Sequence, residues 1–225
     1  PDDHTINNDG HETKASEDGF RHIHAMTEEQ ILAYIEAFAR GAAFAKQCGF
    51  GMVMIHAAHG WGLAQFLSPY LNTRTDRWGG SFENRMRLPL AVVERIRKAV
   101  GKNFPIEFRM SGSEGRGDRG YDIDEGVRIA KALDGRVDIL HVSAGHHEDA
   151  EIYYMTHPSM FMPDGALSEY AAAVKKHVKT PVAAVGAFSD PYQMEELIAS
   201  GKADIVNMGR GTLAEPDLPI KLACG

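Results

Sequence analysis

Five apolar runs, each ending in polar or glycine-bearing residues and followed by an amphipathic stretch, set the pattern of this chain. They lie at 51–56, 105–110, 137–142, 181–185 and 203–208. A hydrophobic strand, a polar loop and an amphipathic helix in repetition describe βαβ units around a parallel sheet. Helix signals fall between the strands. Thr27-Glu-Glu-Gln30 is a capping box, with Ile31, Ile35, Phe38 and Ala42 marking the buried face and Gly49 the stop. Ser81 caps the next helix, Met86, Leu90, Val93 and Val100 give its core face, and Gly101 ends it. Asp122-Ile-Asp-Glu125 reads as a second capping box for a helix to Leu133. A further helix is expected near 166–178, and Asp190-Pro191 opens one that closes at Gly201, with a short helical tail after the last strand.

Two long loops are expected, at 61–81 and after the third strand. Residues 1–26 are polar and without period, and are expected to be loop continuing from a missing N-terminal part. Residues 27–225 then form one α/β domain. Periodicity leaves two architectures open: an open doubly wound sheet, or the last five units of an eight-stranded barrel, which needs about 250 residues or more. Pro1 is not a start residue, which favours the barrel.

Composition narrows the classes. The 44% apolar and 24% charged fractions are those of an ordinary globular protein, and 225 residues suffice for one core. No window approaches ~18 apolar residues, and no basic leader precedes an apolar segment. Two cysteines, Cys48 and Cys224, make neither a disulfide framework nor a zinc site by themselves. A net charge of −7 argues against nucleic-acid binding. The expectation is a cytoplasmic protein with no membrane partner and with a homo-oligomer left open.

Chemistry gathers at the strand ends. His56 and His59 close the first strand; if the strand has become loop by Ala58, both rings can converge and polarise a carbonyl. Metal binding and plain structural hydrogen bonding are the alternatives. Arg109 ends an otherwise apolar strand and needs an anionic partner, a ligand or a carboxylate such as Glu107 or Glu114. Gly186-Ala187 and Gly209-Arg210 end consecutive strands, where bare N–H groups and a guanidinium suit a phosphate. His146 and His147, with Tyr153 and Tyr154 behind them, stand at a further strand end.

Gly49-Phe50 through His56-Ala-Ala-His59-Gly60, Gln65-Phe-Leu-Ser-Pro69, Asn72-Thr-Arg-Thr-Asp76 and Gly79-Gly-Ser-Phe-Glu-Asn-Arg85 closely resemble the Old Yellow Enzyme family of FMN-dependent oxidoreductases. Arg109-Met-Ser111, Gly186-Ala-Phe-Ser-Asp-Pro191 and Met208-Gly-Arg210 agree, so the match spans roughly residues 27–223. Within the family the chain looks most like the 2,4-dienoyl-CoA reductase and enoate reductase branch. The resemblance implies a (β/α)8 TIM barrel, incomplete here, with strands four to eight present and one to three missing. It implies FMN held by Arg109 at the pyrimidine end and by Gly186, Ala187, Gly209 and Arg210 at the phosphate. NADH or NADPH would serve as reductant. His56 and His59 match the pair that grips a substrate carbonyl oxygen, and Ala57, Ala58, Trp61 and Tyr153 are the further substrate contacts expected.

One position departs from the pattern. Where the family has a tyrosine acid, two residues after the second histidine, this chain has Trp61, whose indole is no acid near neutral pH. His147, in Gly145-His-His147-Glu148, aligns with a histidine that assists protonation and becomes the candidate acid, ahead of Tyr153 and Tyr154. The expected substrate is a small unsaturated carbonyl compound. An amine dehydrogenase of the same superfamily, a metal-dependent barrel hydrolase and a piece inactive by itself are the rival readings. An iron–sulfur cluster belongs, on this resemblance, only to a continuation beyond Cys224.

Overall fold

The computed structural model describes residues 5–6, 11–15, 21–147 and 152–224. The polar N-terminal stretch departs from expectation. Three short strands, β1 (Thr5–Ile6), β2 (His11–Ala15) and β3 (Arg21–Ala25), pair antiparallel within the segment expected to be loop. His11-Glu-Thr-Lys-Ala15 has no apolar alternation, so only the backbone ladder marks it as strand, and periodicity has nothing to detect. These strands form a sheet of their own, separate from the parallel sheet of the later strands.

Helix α1 (Glu28–Gln47) starts as expected: Thr27 accepts from the Gln30 backbone, and the Gln30 side chain accepts from Thr27 N–H at 2.8 Å. Its buried stripe, Ile31, Ile35, Ala39 and Ala42, lies against α3 (Phe82–Val100), which Ser81 caps and Gly101 ends. Between them run β4 (Val53–Ala57) and a helix the sequence concealed, α2 (Gly62–Leu67). Leu63 through Leu67 are all buried, so no polar face exists to produce a helical period.

The second half repeats the unit: β5 (Ile106–Ser111), α4 (Ile123–Leu133), β6 (Ile139–Ser143), the single turn α5 (Tyr153–Thr156), α6 (Ser168–Lys175), β7 (Val182–Ala184), α7 (Pro191–Ala199) and β8 (Ile205–Val206). Helices α8 (Arg210–Ala214) and α9 (Leu218–Cys224) follow. The second expected capping box is half made. Asp122 caps α4 through Asp124 N–H, but Glu125 turns away to pair with Arg85.

Strands β4 to β8 form one parallel sheet in sequence order. Its outer face carries Ile55, Phe108, Leu140 and Val182, which are buried and belong to the main core. The other face is polar. Register places His56, Arg109, His141, Ala183 and Ile205 in one row across all five strands. The sheet curves toward that face. A flat sheet would hold β5 and β8 roughly 14 Å apart, yet Asn207, just after β8, donates to Glu107 on β5 at 3.2 Å. That curvature is the arc of a (β/α)8 barrel, open at β4 and β8.

Candidate active site

The carboxyl ends of the five strands surround a cavity of about 610 Å³, within the range of small-molecule and cofactor sites. His56, His59, Arg109, His147, Gly186, Ala187, Gly209 and Arg210 all line it. The other expected substrate contacts do not. Ala57 and Ala58 are fully buried behind the wall, and Trp61 and Tyr153 stand half-exposed beside it, reaching the cavity through His147.

The two histidines converge because β4 ends at Ala57. His59 then takes φ 63° and Gly60 φ 81°, turning the chain back toward the sheet. A non-glycine residue at positive φ is strained and persists where its surroundings fix it. Here the fixing groups are Ser111, whose Oγ accepts from His59 N–H at 3.1 Å, and Ser143, whose Oγ lies 2.8 Å from Nε2. The His56 and His59 rings meet edge to face, 5.2 Å between centroids. Burial is the main cause that lowers both pKa values, His56 to about 4 and His59 to about 2, so both rings are neutral at pH 7. Nδ1 of His56 is buried without a partner.

Glycine at position 60 is required twice over. Its φ is positive, and a Cβ would lie 2.0 Å from the ring of His146. His147 follows, its N–H bonded to the His59 carbonyl at 3.1 Å. Its ring stands 5.5 Å from His59, 5.4 Å from Trp61 and 4.9 Å from His157. Burial lowers its pKa, with the positive charge of neighbouring groups assisting. Glu148, the last residue of the expected motif, lies outside the described residues.

Arg109 does not make the salt bridge considered for it. Glu114 is buried and engaged by Ser68 Oγ at 3.1 Å and Tyr121 N–H at 3.0 Å. Glu107 is taken by His141 and Asn207. Among the described residues Arg109 forms no ion pair, and its Nε is buried without a partner. A half-buried guanidinium whose Nε–H is buried and unmet on a cavity wall calls for an acceptor from the ligand.

Across the cavity, Ala187 has φ 59° and Gly186 φ 154°. A Cβ at Gly186 would meet Leu167 N at 2.7 Å, so only glycine fits. His59 and Ala187 are the two non-glycine residues at positive φ among those described, and both line this cavity. Arg210 stands at its rim, one guanidinium N–H given to the Pro158 carbonyl at 2.5 Å. The sequence reading passed over Ser143, His157 and Asn207 as site residues. Asn207 was the legible one, a lone amide within an apolar strand end. Among the described residues no three His, Cys, Asp or Glu side chains group closely enough to hold a metal ion.

Residues 2–225 match the NADH:flavin oxidoreductase / NADH oxidase family. The chain belongs to this family, that of the Old Yellow Enzymes. It is 42% identical over 197 residues to an NADH oxidase of Thermoanaerobacter brockii, covering 87% of this chain and 30% of that protein. The fold of a 2-naphthoyl-CoA reductase superposes with a TM-score of 0.82 at 31% identity, over 95% of this chain and 32% of that one. A histamine dehydrogenase from Rhizobium sp. 4-9 superposes with a TM-score of 0.80 at 32% identity, over 89% and 29%. The chain thus spans about a third of the length of these relatives. Family membership implies FMN and a nicotinamide reductant. The walls fit such a group: an unsatisfied guanidinium at Arg109 for a polar ring edge, and the Gly186-Ala187 backbone with Arg210 for a phosphate. Among the described residues no helix is long and apolar enough to cross a membrane.

Proposed function

We propose that the protein passes hydride from NADH or NADPH, by way of FMN, to a carbon–carbon double bond conjugated to a carbonyl. The observation that carries this reading is the convergence of two neutral imidazoles, His56 and His59, on a wall shared with Arg109. Bound FMN would supply the hydride for the β-carbon. Arg109 holds the pyrimidine end of the flavin, while Gly186, Ala187, Gly209 and Arg210 hold its phosphate. His56 and His59 donate N–H groups to the substrate oxygen as negative charge develops there. Neutral donors fixed in a dry wall stabilise an oxyanion without surrendering a proton to it. Ser143 orients the His59 ring through Nε2 and, by the direction of its own proton, selects the tautomer. His147 delivers the proton to the α-carbon, the task Trp61 is chemically unable to perform. A reductase of an aryl-conjugated thioester among the structural relatives supports this chemistry.

The test is the visible spectrum, under anaerobic conditions, of the protein purified from its complete reading frame. A flavin band bleached by NADH or NADPH and restored by an enone is the expected result. A band bleached by a small amine instead, with no response to an enone, would overturn it in favour of amine oxidation. His147→Ala is expected to slow enone turnover by at least about 10²-fold. The lowered pKa of His147 means that its acid form grows as pH falls. Wild-type turnover should therefore rise from about pH 8 to about pH 6, and the variant should lose that rise. An unchanged rate in His147→Ala would remove His147 from the mechanism.

A further inference from the structure

Barrel interiors are normally packed with branched aliphatic side chains. This one contains an anion. Glu107 lies on β5 two residues before Arg109, and so on the same inner face. Its side chain is 12% exposed and that of His141 6%. Two N–H groups converge on Glu107 Oε1, from His141 Nδ1 at 2.7 Å and from Asn207 Nδ2 at 3.2 Å, and lie 2.9 Å from each other. Nε2 of His141 is buried without a partner, as befits a neutral ring whose proton sits on Nδ1. Ala183, the register neighbour of His141 on β7, is small, and its size leaves room for Asn207 to reach over it. Asn207 also lines the cavity, so the cluster touches the site from below.

A buried histidine and two half-buried polar groups, drawn from β6, β5 and the end of β8, cost stability unless they serve a charge. The carboxylate has no direct bond to Arg109, but the two charges act on each other, Glu107 favouring the guanidinium cation and Arg109 the carboxylate anion. We propose that Glu107, fixed by His141 and Asn207, is a positioning and charge-setting residue. It partly offsets the Arg109 cation and thereby sets how readily the flavin beside Arg109 accepts electrons. This rests on the flavin reading above. Two electrons and one proton convert the oxidised isoalloxazine to its reduced anion, whose negative charge develops at the pyrimidine end. An uncompensated Arg109 favours that anion, and Glu107 moderates the preference.

The experiment poises the FMN-loaded protein with dithionite against a reference dye and reads the ratio of reduced to oxidised flavin. Glu107→Gln keeps the shape and removes the charge, and is expected to shift the ratio toward reduced flavin by about tenfold, the order expected for removing a unit charge screened by protein. His141→Leu, which removes the nearer donor to Glu107 and with it the main cause that lowers its pKa, is expected to shift it the same way by less, and serves if Glu107→Gln fails to fold. A purely structural role for the cluster would move stability and leave the ratio alone. Full flavin occupancy with ratios within about twofold of wild type in both variants overturns the proposal. A protein expressed from its complete reading frame that binds no FMN sinks both this and the flavin reading. Flavin binding with the expected shift but no enone response sinks only the substrate assignment.

Discussion

At pH 7 burial keeps His56 and His59 uncharged, and that has a consequence for stability at the level of single residues. Both have folded pKa values, about 4 and about 2, below the ordinary value of 6.5. The unfolded chain therefore binds more protons than the folded one below pH 6.5. Their contribution is whole above that pH and is lost as pH falls toward the folded values. At about 1.4 kcal/mol per pH unit, each ring removes at most about 2 kcal/mol by about pH 5. The buried carboxyl of Glu114, raised by desolvation, acts in the opposite sense as pH falls from its raised folded pKa toward 4.5. Urea midpoints should fall between about pH 7 and about pH 5, and should fall less in His56→Gln. A midpoint insensitive to pH in wild type would contradict the neutral assignment.

At the scale of elements, one side chain ties three segments together. Arg85 on α3 donates through Nε to the Leu67 carbonyl at 2.9 Å and through Nη1 to the Gly80 carbonyl at 2.6 Å, and its Nη2 pairs with Glu125 on α4. It is 7% exposed, and its removal takes the donor from the buried Leu67 carbonyl and from Gly80, and leaves Glu125 only the longer contact with Arg128 at 3.9 Å. Arg85→Ala should cost about 3 kcal/mol in denaturant unfolding, whereas Arg87→Ala, on the exposed side of the same helix, should cost little. The same region shows what a sequence can and cannot disclose. The caps at Thr27, Ser81, Asp122 and Asp190 were legible because they are local chemistry. The strand ends were legible because an ionisable residue breaks an apolar run. Helix α2 was hidden because burial on every side erases its period. Strand β2 was hidden because a hairpin ladder needs no apolar alternation. Nor could spacing tell that Glu125 would leave its own cap for Arg85, or that Asn207 would meet Glu107, since both pairings depend on how helices and strands pack.

For the whole molecule, the governing fact is the open arc. Among the described residues β4 and β8 each have one paired neighbour, and beside β4 an apolar groove of about 400 Å³ lies between Phe38, Ala42, Val53 and Ile55. Unpaired strand edges next to apolar surface invite association. The 225 residues expressed alone are expected to aggregate and to bind FMN weakly, by light scattering and flavin fluorescence. A soluble monomer with tightly held flavin would contradict this.

The division of the cavity wall carries a further meaning. On the proposed function, the groups assigned to the substrate oxygen and the pyrimidine edge come from residues 56–147, and those assigned to a phosphate come from 186–210. These stretches do not overlap along the chain. A lineage can therefore remodel the first by point changes or recombination while inheriting the second intact. On such an inheritance the seat for the prosthetic group would persist while the reaction changed.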